Sequence, residues 1–213
     1  MEVVISNNIP DKFKYQTLGV IGDLNDLLNM DFDIEGIIYD DSWTVKRFLN
    51  GFHLKLNNRI ESFFLMLELD KKLLNKKINT ISKTDLKFVL LIYAMLKNYK
   101  TIIFDHMDAN MSYKDKKRLL NFIRKIKNDD LNFIFLSKDL EFLYKITNHL
   151  IIINDNKIIY DDLIDDAYTL EELDSKIINF IKLANKKGAN LIYTFDRKEL
   201  LKDIYRSVMW WDI

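Results

Sequence analysis

From Lys100 to Asp161, short apolar runs alternate with charged amphipathic segments. Thr101-Ile102-Ile103-Phe104 is closed by Asp105, and Asn132-Phe133-Ile134-Phe135-Leu136 is closed by Ser137-Lys138-Asp139. Leu150 to Ile153 and Lys157 to Tyr160 follow another short helical stretch. Apolar runs of this length, separated by helices, predict buried parallel strands with crossover connections. Polar residues at the ends of such strands line the usual ligand crevice, so a site is sought there first.

Upstream, Val3-Val4-Ile5 and Thr17 to Ile21 predict two strands, and the second runs through Gly22-Asp23 into a short helical segment, Leu24 to Met30. Ile34 to Tyr39 is a further candidate strand. Thr44 to Leu69 has helical spacing, with Phe48, Leu49 and Phe52 on one side and Ile60, Phe63, Phe64 and Leu67 on another. Ser42 and Thr44 are candidate caps for it, and Asn57-Asn58 is expected to divide it. Ser82 opens a strong helix, with Asp85 three residues on as the acid of a capping box. Apolar residues from Leu86 to Leu96 nearly encircle that helix, so burial on most sides is expected. Beyond Asp161, a helix from Thr169 to Lys187 is expected, capped by Thr169 with Glu172 and stopped by Gly188. A short strand, Leu191 to Phe195, and a helix capped by Asp196 and reaching about Met209 complete the pattern.

Composition narrows the class. The 213 residues are 48% hydrophobic and 30% charged, with 32 basic and 32 acidic side chains. That balance fits a folded domain and argues against a protein held to nucleic acid by a strong general field. No cysteine is present, so disulfides and thiolate metal sites are excluded. No apolar run approaches the ~20 residues of a membrane span, and the first residues lack a signal-peptide pattern, which predicts a cytoplasmic protein. His53 stands among apolar residues with no second ligand at metal-binding spacing.

Strand, glycine and helix in succession is the context of a phosphate-binding loop. Such a loop needs small residues so that backbone N–H groups wrap the phosphates, a lysine for their charge and a hydroxyl for magnesium. Counted from Gly19, the second glycine falls on Leu24, the lysine on Asn25 and the hydroxyl on Asp26. Gly19, Gly22 and Asn25 thus hold the loop positions without its chemistry, and Asp23 and Asp26 put negative charge where phosphates would sit. The plainer reading of both glycines is an ordinary turn.

The order of these segments resembles the ATP-binding domain of ABC transporters, weakly from Leu18 and more fully from Thr44 to Asp161. Ile78 to Ser82 and the helix after it are similar to that family's signature loop and helix. Thr101 to Asp105 resembles the Walker B strand with its aspartate, Phe133 to Leu140 the strand with the switch histidine, and Asn148 to Asp161 the late hairpin. The resemblance implies a three-layer α/β fold of the P-loop NTPase type with a mostly parallel sheet and a small helical subdomain at about 44–96. It further implies an ATPase-like domain over 1–162 and a helix–strand–helix extension over 163–213.

The departures from that family are concentrated at its catalytic positions. His106 follows Asp105 where a catalytic glutamate is expected, and Lys138 stands for the switch histidine. Ser82 to Asp85 replaces the glycine-rich signature, and Ser112 stands at the D-loop aspartate. A single lost donor at such a site costs roughly 10²–10³ in rate, and phosphoryl transfer rests almost wholly on these groups. The expectation is therefore a degenerate ATPase-like subunit without a cofactor, acting through protein partners. These would be an active ATPase subunit, a membrane permease that holds it at the inner face of the membrane, or a second copy. Ser82, Asp85, Ser112, Trp210 and Trp211 are candidate interface residues, as are the aromatics Trp43, Phe48, Phe52, Phe63 and Phe64. Core packing is the alternative for every aromatic among them. Two other readings stay open: a divergent subunit that binds ATP and Mg²⁺, with Asp105, His106 and Lys138 as a strand-end constellation, and a free-standing regulatory or scaffold protein.

Overall fold

The apolar runs assemble into one seven-stranded sheet in the computed structural model, which describes residues 3–50, 57–126, 131–170, 173 and 175–209. The strands are β1 (Val3–Asn8), β2 (Thr17–Ile21), β3 (Asp33–Gly36), β4 (Thr101–Asp105), β5 (Asn132–Leu136), β6 (His149–Asn154) and β7 (Lys157–Leu163). They lie in the order β3-β1-β4-β5-β2-β6-β7. The central four, β4, β5, β2 and β6, are parallel neighbours. Antiparallel pairs flank them, β3 with β1, β1 with β4, and β6 with β7. The expected α/β architecture with a mostly parallel sheet is what the chain forms.

Alternation along each strand splits the core in two. Val3, Ile5, Ile102, Phe104, Phe133, Phe135, Leu150 and Ile152 face a large cluster. Their neighbours Val4, Leu18, Val20, Ile103, Ile134, Leu136, Ile151 and Ile153 face a small one. Successive side chains on a strand point to opposite faces, so central strands with both faces covered must be apolar throughout. The small side is covered by α1 (Leu24–Leu28) and by Phe13 and Phe32, whose rings meet edge to face at 4.7 Å. The large side receives α2 (Val45–Asn50), α3 (Asn57–Met66), α4 (Lys83–Leu96), α5 (Tyr113–Lys125), α6 (Leu140–Ile146), α7 (Lys176–Lys186) and α8 (Arg197–Met209).

Local chemistry sets where these elements start. The Asp85 N–H donates to the Ser82 hydroxyl at the start of α4, and the Asp115 N–H to Ser112 at the start of α5. Thr44 accepts from the Arg47 N–H and caps α2, whereas the Ser42 N–H donates to Asp40 and opens no helix. The expected division of the segment from 44 to 69 holds to the extent that α3 begins at Asn57; Phe52 and His53 lie outside the described residues.

Three expectations are corrected. The strand expected over Ile34 to Tyr39 is shorter and ends at Gly36. The helix expected from Thr169 starts instead at Lys176, where Ser175 accepts from the Ile178 N–H; Thr169 ends a 3₁₀ segment, Ile164–Thr169. Leu191 to Phe195 forms no strand, so the end of the chain is helix, loop and helix. Side chains take up the backbone at its start instead, because the Leu191 N–H and C=O bond the Asn185 amide and the Ile192 N–H donates to Asp203. Glu172, Trp210 and Trp211 lie outside the described residues.

Two packing contacts fix the sheet to its helices. A Cβ on Gly19 would lie 2.8 Å from Thr147 Cγ2, so glycine lets the end of α6 close on β2. The Thr147 hydroxyl sits 2.8 Å from the Thr17 carbonyl oxygen and accepts from the His149 N–H, tying β2 to β6. On the other side of β5, Lys87 is 2% exposed and donates from Nζ to the carbonyls of Met107 and Ala109, both at 2.8 Å. A lysine from α4 thereby holds the turn that follows β4.

Replacing Gly19 by Ala is expected to lower stability by about 1–3 kcal/mol, because the added methyl meets a threonine already fixed on both sides. Lys87→Met is expected to cost about 2–3 kcal/mol by leaving two buried carbonyls without their charged donor. Urea unfolding of each variant, compared at constant slope, measures both losses.

Candidate functional site

The crevice at the carboxyl ends of the parallel strands is where an α/β sheet offers a ligand site. Its first wall is the junction of β2 and α1. Only Gly22 and Asp23 lie between Ile21, the last residue of β2, and Leu24, the first of α1. Two residues are too few to wrap a chain of phosphates. Gly19 lies inside β2, paired with Phe135 on one side and Leu150 on the other. The amides at the helix start are already engaged: the Asp23 N–H donates to Asp26 Oδ2 at 2.8 Å and the Asn25 N–H to Asp23 Oδ1 at 3.2 Å. This reciprocal capping box engages two of the donors that a phosphate-binding loop would turn toward its ligand. A Cβ on Gly22 would meet Asp26 Oδ2 at 3.0 Å, so that glycine makes room for a carboxylate.

The second wall is formed by the ends of β4 and β5. Asp105 and Leu136 are paired in register, and the His106 N–H donates to the Leu136 carbonyl at 3.0 Å. His106 has φ 49°, a left-handed conformation uncommon for a side chain of its size. That turn brings its Nδ1 to 3.0 Å from Asp105 Oδ1, with both side chains partly exposed. In the neutral imidazole with Nδ1 donating to the carboxylate, Nε2 is left as an acceptor, the arrangement of an oriented base. Lys138 does not join this pair. It is exposed and lines a separate, largely apolar cleft of about 900 Å³ with Ile21, Leu140, Ile152 and Leu170. Of the three strand-end candidates the fold therefore unites two.

A cluster that the sequence did not disclose lies beside them. Lys116 of α5 reaches Asp139 at 2.7 Å and Asp108 at 3.6 Å, spanning the turns after β4 and β5. Burial pushes the Asp139 carboxyl up, but Lys116, the Phe142 N–H and Arg197 together outweigh it and hold it below the ordinary value. Lys116 and Asp139 are separated by 23 positions, so no local periodicity pairs them. Lys87 was equally hidden, at the start of the apolar stretch of α4; its signal is that the burial expected for that stretch leaves it no exposed face. Among the described residues, no group of three or more His, Asp or Glu side chains is placed to hold a metal ion.

The interface candidates divide by burial. Ser82, Asp85 and Ser112 sit in exposed helix caps, where Ser82 Oγ also donates to Asp85 and Ser112 Oγ to Asp115. Phe48, Phe63 and Phe64 fill the core, and Trp43 packs against it beneath the Arg47 guanidinium. Among the described residues of this part of the chain, Ile38 and Leu65, 89% and 80% exposed, are the most exposed large apolar side chains.

No protein-family model matches the chain. It is similar to the galactose/methyl galactoside import ATP-binding protein of Mannheimia succiniciproducens, 24% identical over 123 residues, covering 56% of this chain and 24% of that protein. The ribose import ATP-binding protein of Lactococcus lactis is 24% identical over 161 residues, 72% of this chain and 32% of its own length. The nickel import system ATP-binding protein of Staphylococcus aureus is 27% identical over 107 residues, 50% of this chain and 43% of its own. The chain thus spans less than half the length of each of these relatives. They are ATP-binding proteins of ABC transporters, and the observed α/β sheet with its helices agrees with a distant, ABC ATPase-like relationship.

Proposed function

We propose that this chain is a catalytically degenerate ATPase-like subunit of an ABC-type transporter that acts by binding other proteins. The observation that supports the reading is the capping box of Asp23 and Asp26, which puts the protein's own carboxylates at the β2–α1 junction, where a phosphate loop would lie. At an effective dielectric of about 20, a carboxylate about 4 Å from a phosphate oxygen repels it by roughly 4 kcal/mol per pair of charges. A nearby cation would have to offset that, and Asn25 stands where the loop lysine is needed. Lys138 makes no hydrogen bond or ion pair with Asp105 or His106, so it does not serve the oriented histidine as a phosphate-binding cation.

The partners proposed are an active ATPase subunit, a membrane permease, or a second copy of this chain. Exposed Ile38 and Leu65, and the surface caps at Ser82 and Ser112, are the surfaces offered. No described helix is long and apolar enough to cross a membrane. Attachment at the inner face of a membrane would therefore run through the permease. In this reading residues 1–162 form the ATPase-like unit. The extension over 163–213 adds Ile178, Ile181, Leu191, Phe195 and Leu200 to the same core cluster.

ATP with Mg²⁺ is expected to leave the amide resonances of Gly22 to Asn25 unmoved, and phosphate release is expected to stay at the buffer blank. Displacement of those resonances at micromolar ATP, or turnover above the blank, overturns the proposal in favour of a divergent ATPase. Purification from host membranes with and without detergent then tests the partner: a permease is expected only in the detergent extract.

A further inference from the structure

A second cleft, between α5, α6 and the start of α8, is separate from the strand-end crevice. It holds about 550 Å³, a size common for small-molecule sites. Met111, Leu120 and the buried ring of Phe142 give it an apolar wall. Six cations and three carboxylates line it, and the carboxylates are already engaged. Asp139 is bound by Lys116 at 2.7 Å, and Glu141 by Lys145 at 2.7 Å and Arg197 at 2.9 Å. Asp196 accepts the Lys198 N–H at the start of α8 and lies 3.9 Å from Lys145.

Three cations remain. Lys117, Arg124 and Lys198 are exposed and have no carboxylate partner among the described residues; Arg124 donates from Nη2 to the Lys145 carbonyl. Lys117, Leu120 and Arg124 recur at helical spacing and so share one face of α5, while Lys198 stands on α8. Opposite walls therefore bring unneutralised charge to a cleft whose floor is apolar. Cations arranged beside an apolar wall select a ligand with an anionic head and an apolar body.

We propose that this cleft binds a small organic phosphate, its phosphate held by Lys117, Arg124 and Lys198 and its body lying on Met111, Leu120 and Phe142. The inference does not depend on whether the strand-end crevice binds ATP. Phosphate is favoured over a chain of acidic side chains because the site is a bounded cleft, not a track along the surface.

Phenyl phosphate titrated into the full chain, followed by calorimetry and by amide resonances, tests the site. Binding is expected to move resonances of Lys117, Leu120, Phe142 and Lys198 and to be stronger than binding of inorganic phosphate. The triple variant Lys117→Ala, Arg124→Ala, Lys198→Ala is expected to weaken it at least about tenfold. A charge-matched control, Lys114→Ala, Lys125→Ala, Lys157→Ala, lies outside the cleft and is expected to leave it unchanged. No binding, equal loss in the control, or equal affinity for inorganic phosphate overturns the proposal. A response to poly-glutamate but not to phenyl phosphate also overturns it, in favour of an acidic protein segment. ATP that moved only the cleft resonances would leave the degenerate reading intact, and ATP that moved Gly22 to Asn25 would overturn that reading alone.

Discussion

The fold depends on covering both faces of β2, which like β5 has parallel neighbours on either side. Parallel strands have no hairpin to hold them in register, so helices must close the sheet from above and below. Here the two layers are unequal. One face receives the bulk of the helices and the other a five-residue helix with a pair of phenylalanine rings. The thin layer works because Gly19 and Thr147 fix β2 against α6 and β6 from the opposite side. Lys87 does the equivalent task for β4, tying its following turn to the most buried helix.

Much of this architecture was legible in the sequence because its signals are local. A serine with an acid three positions on starts α4 and α5, and apolar runs of four or five residues are the central strands. The apolar runs alone suggested parallel strands at Leu150–Ile153 and Lys157–Tyr160, and the hairpin came from the family resemblance; β6 and β7 are antiparallel, and their turn puts Asp155 and Asn156 at positive φ, a conformation these residues tolerate better than most. Leu191 to Phe195 has the composition of a strand but lacks a partner edge, since Asn185 and Asp203 take up the backbone at its start. Thr169 lost the helix start to Ser175 because it closes a 3₁₀ segment, Ile164–Thr169, while the Ser175 hydroxyl accepts the Ile178 N–H. In each case the pattern of side chains was right and the destination of the hydrogen bonds was not.

The candidate site was less legible. Residue identity placed Asp105, His106 and Lys138 at strand ends, yet only the backbone turn at His106 decides which of them meet. Charge at Asp23 and Asp26 was visible, but not that the two carboxylates would satisfy the helix amides reciprocally. The ion pairs of Lys116, and the cleft beyond it, join segments distant in sequence and carry no periodicity. A crevice can thus keep its backbone while its donors are turned inward, and the surface a short distance away can hold charge that the interior does not neutralise.

The outer strands of the sheet have a consequence for self-association. β3 is four residues long and carries Asp33 and Glu35, and β7 carries Asp161 and Asp162 toward its end. A short charged border at β3 and acidic residues on β7 resist the addition of another strand, so edge-on growth is disfavoured without closure into a barrel. Any stable pairing is thereby directed to the helical flanks, and fibrous stacking through the sheet is suppressed.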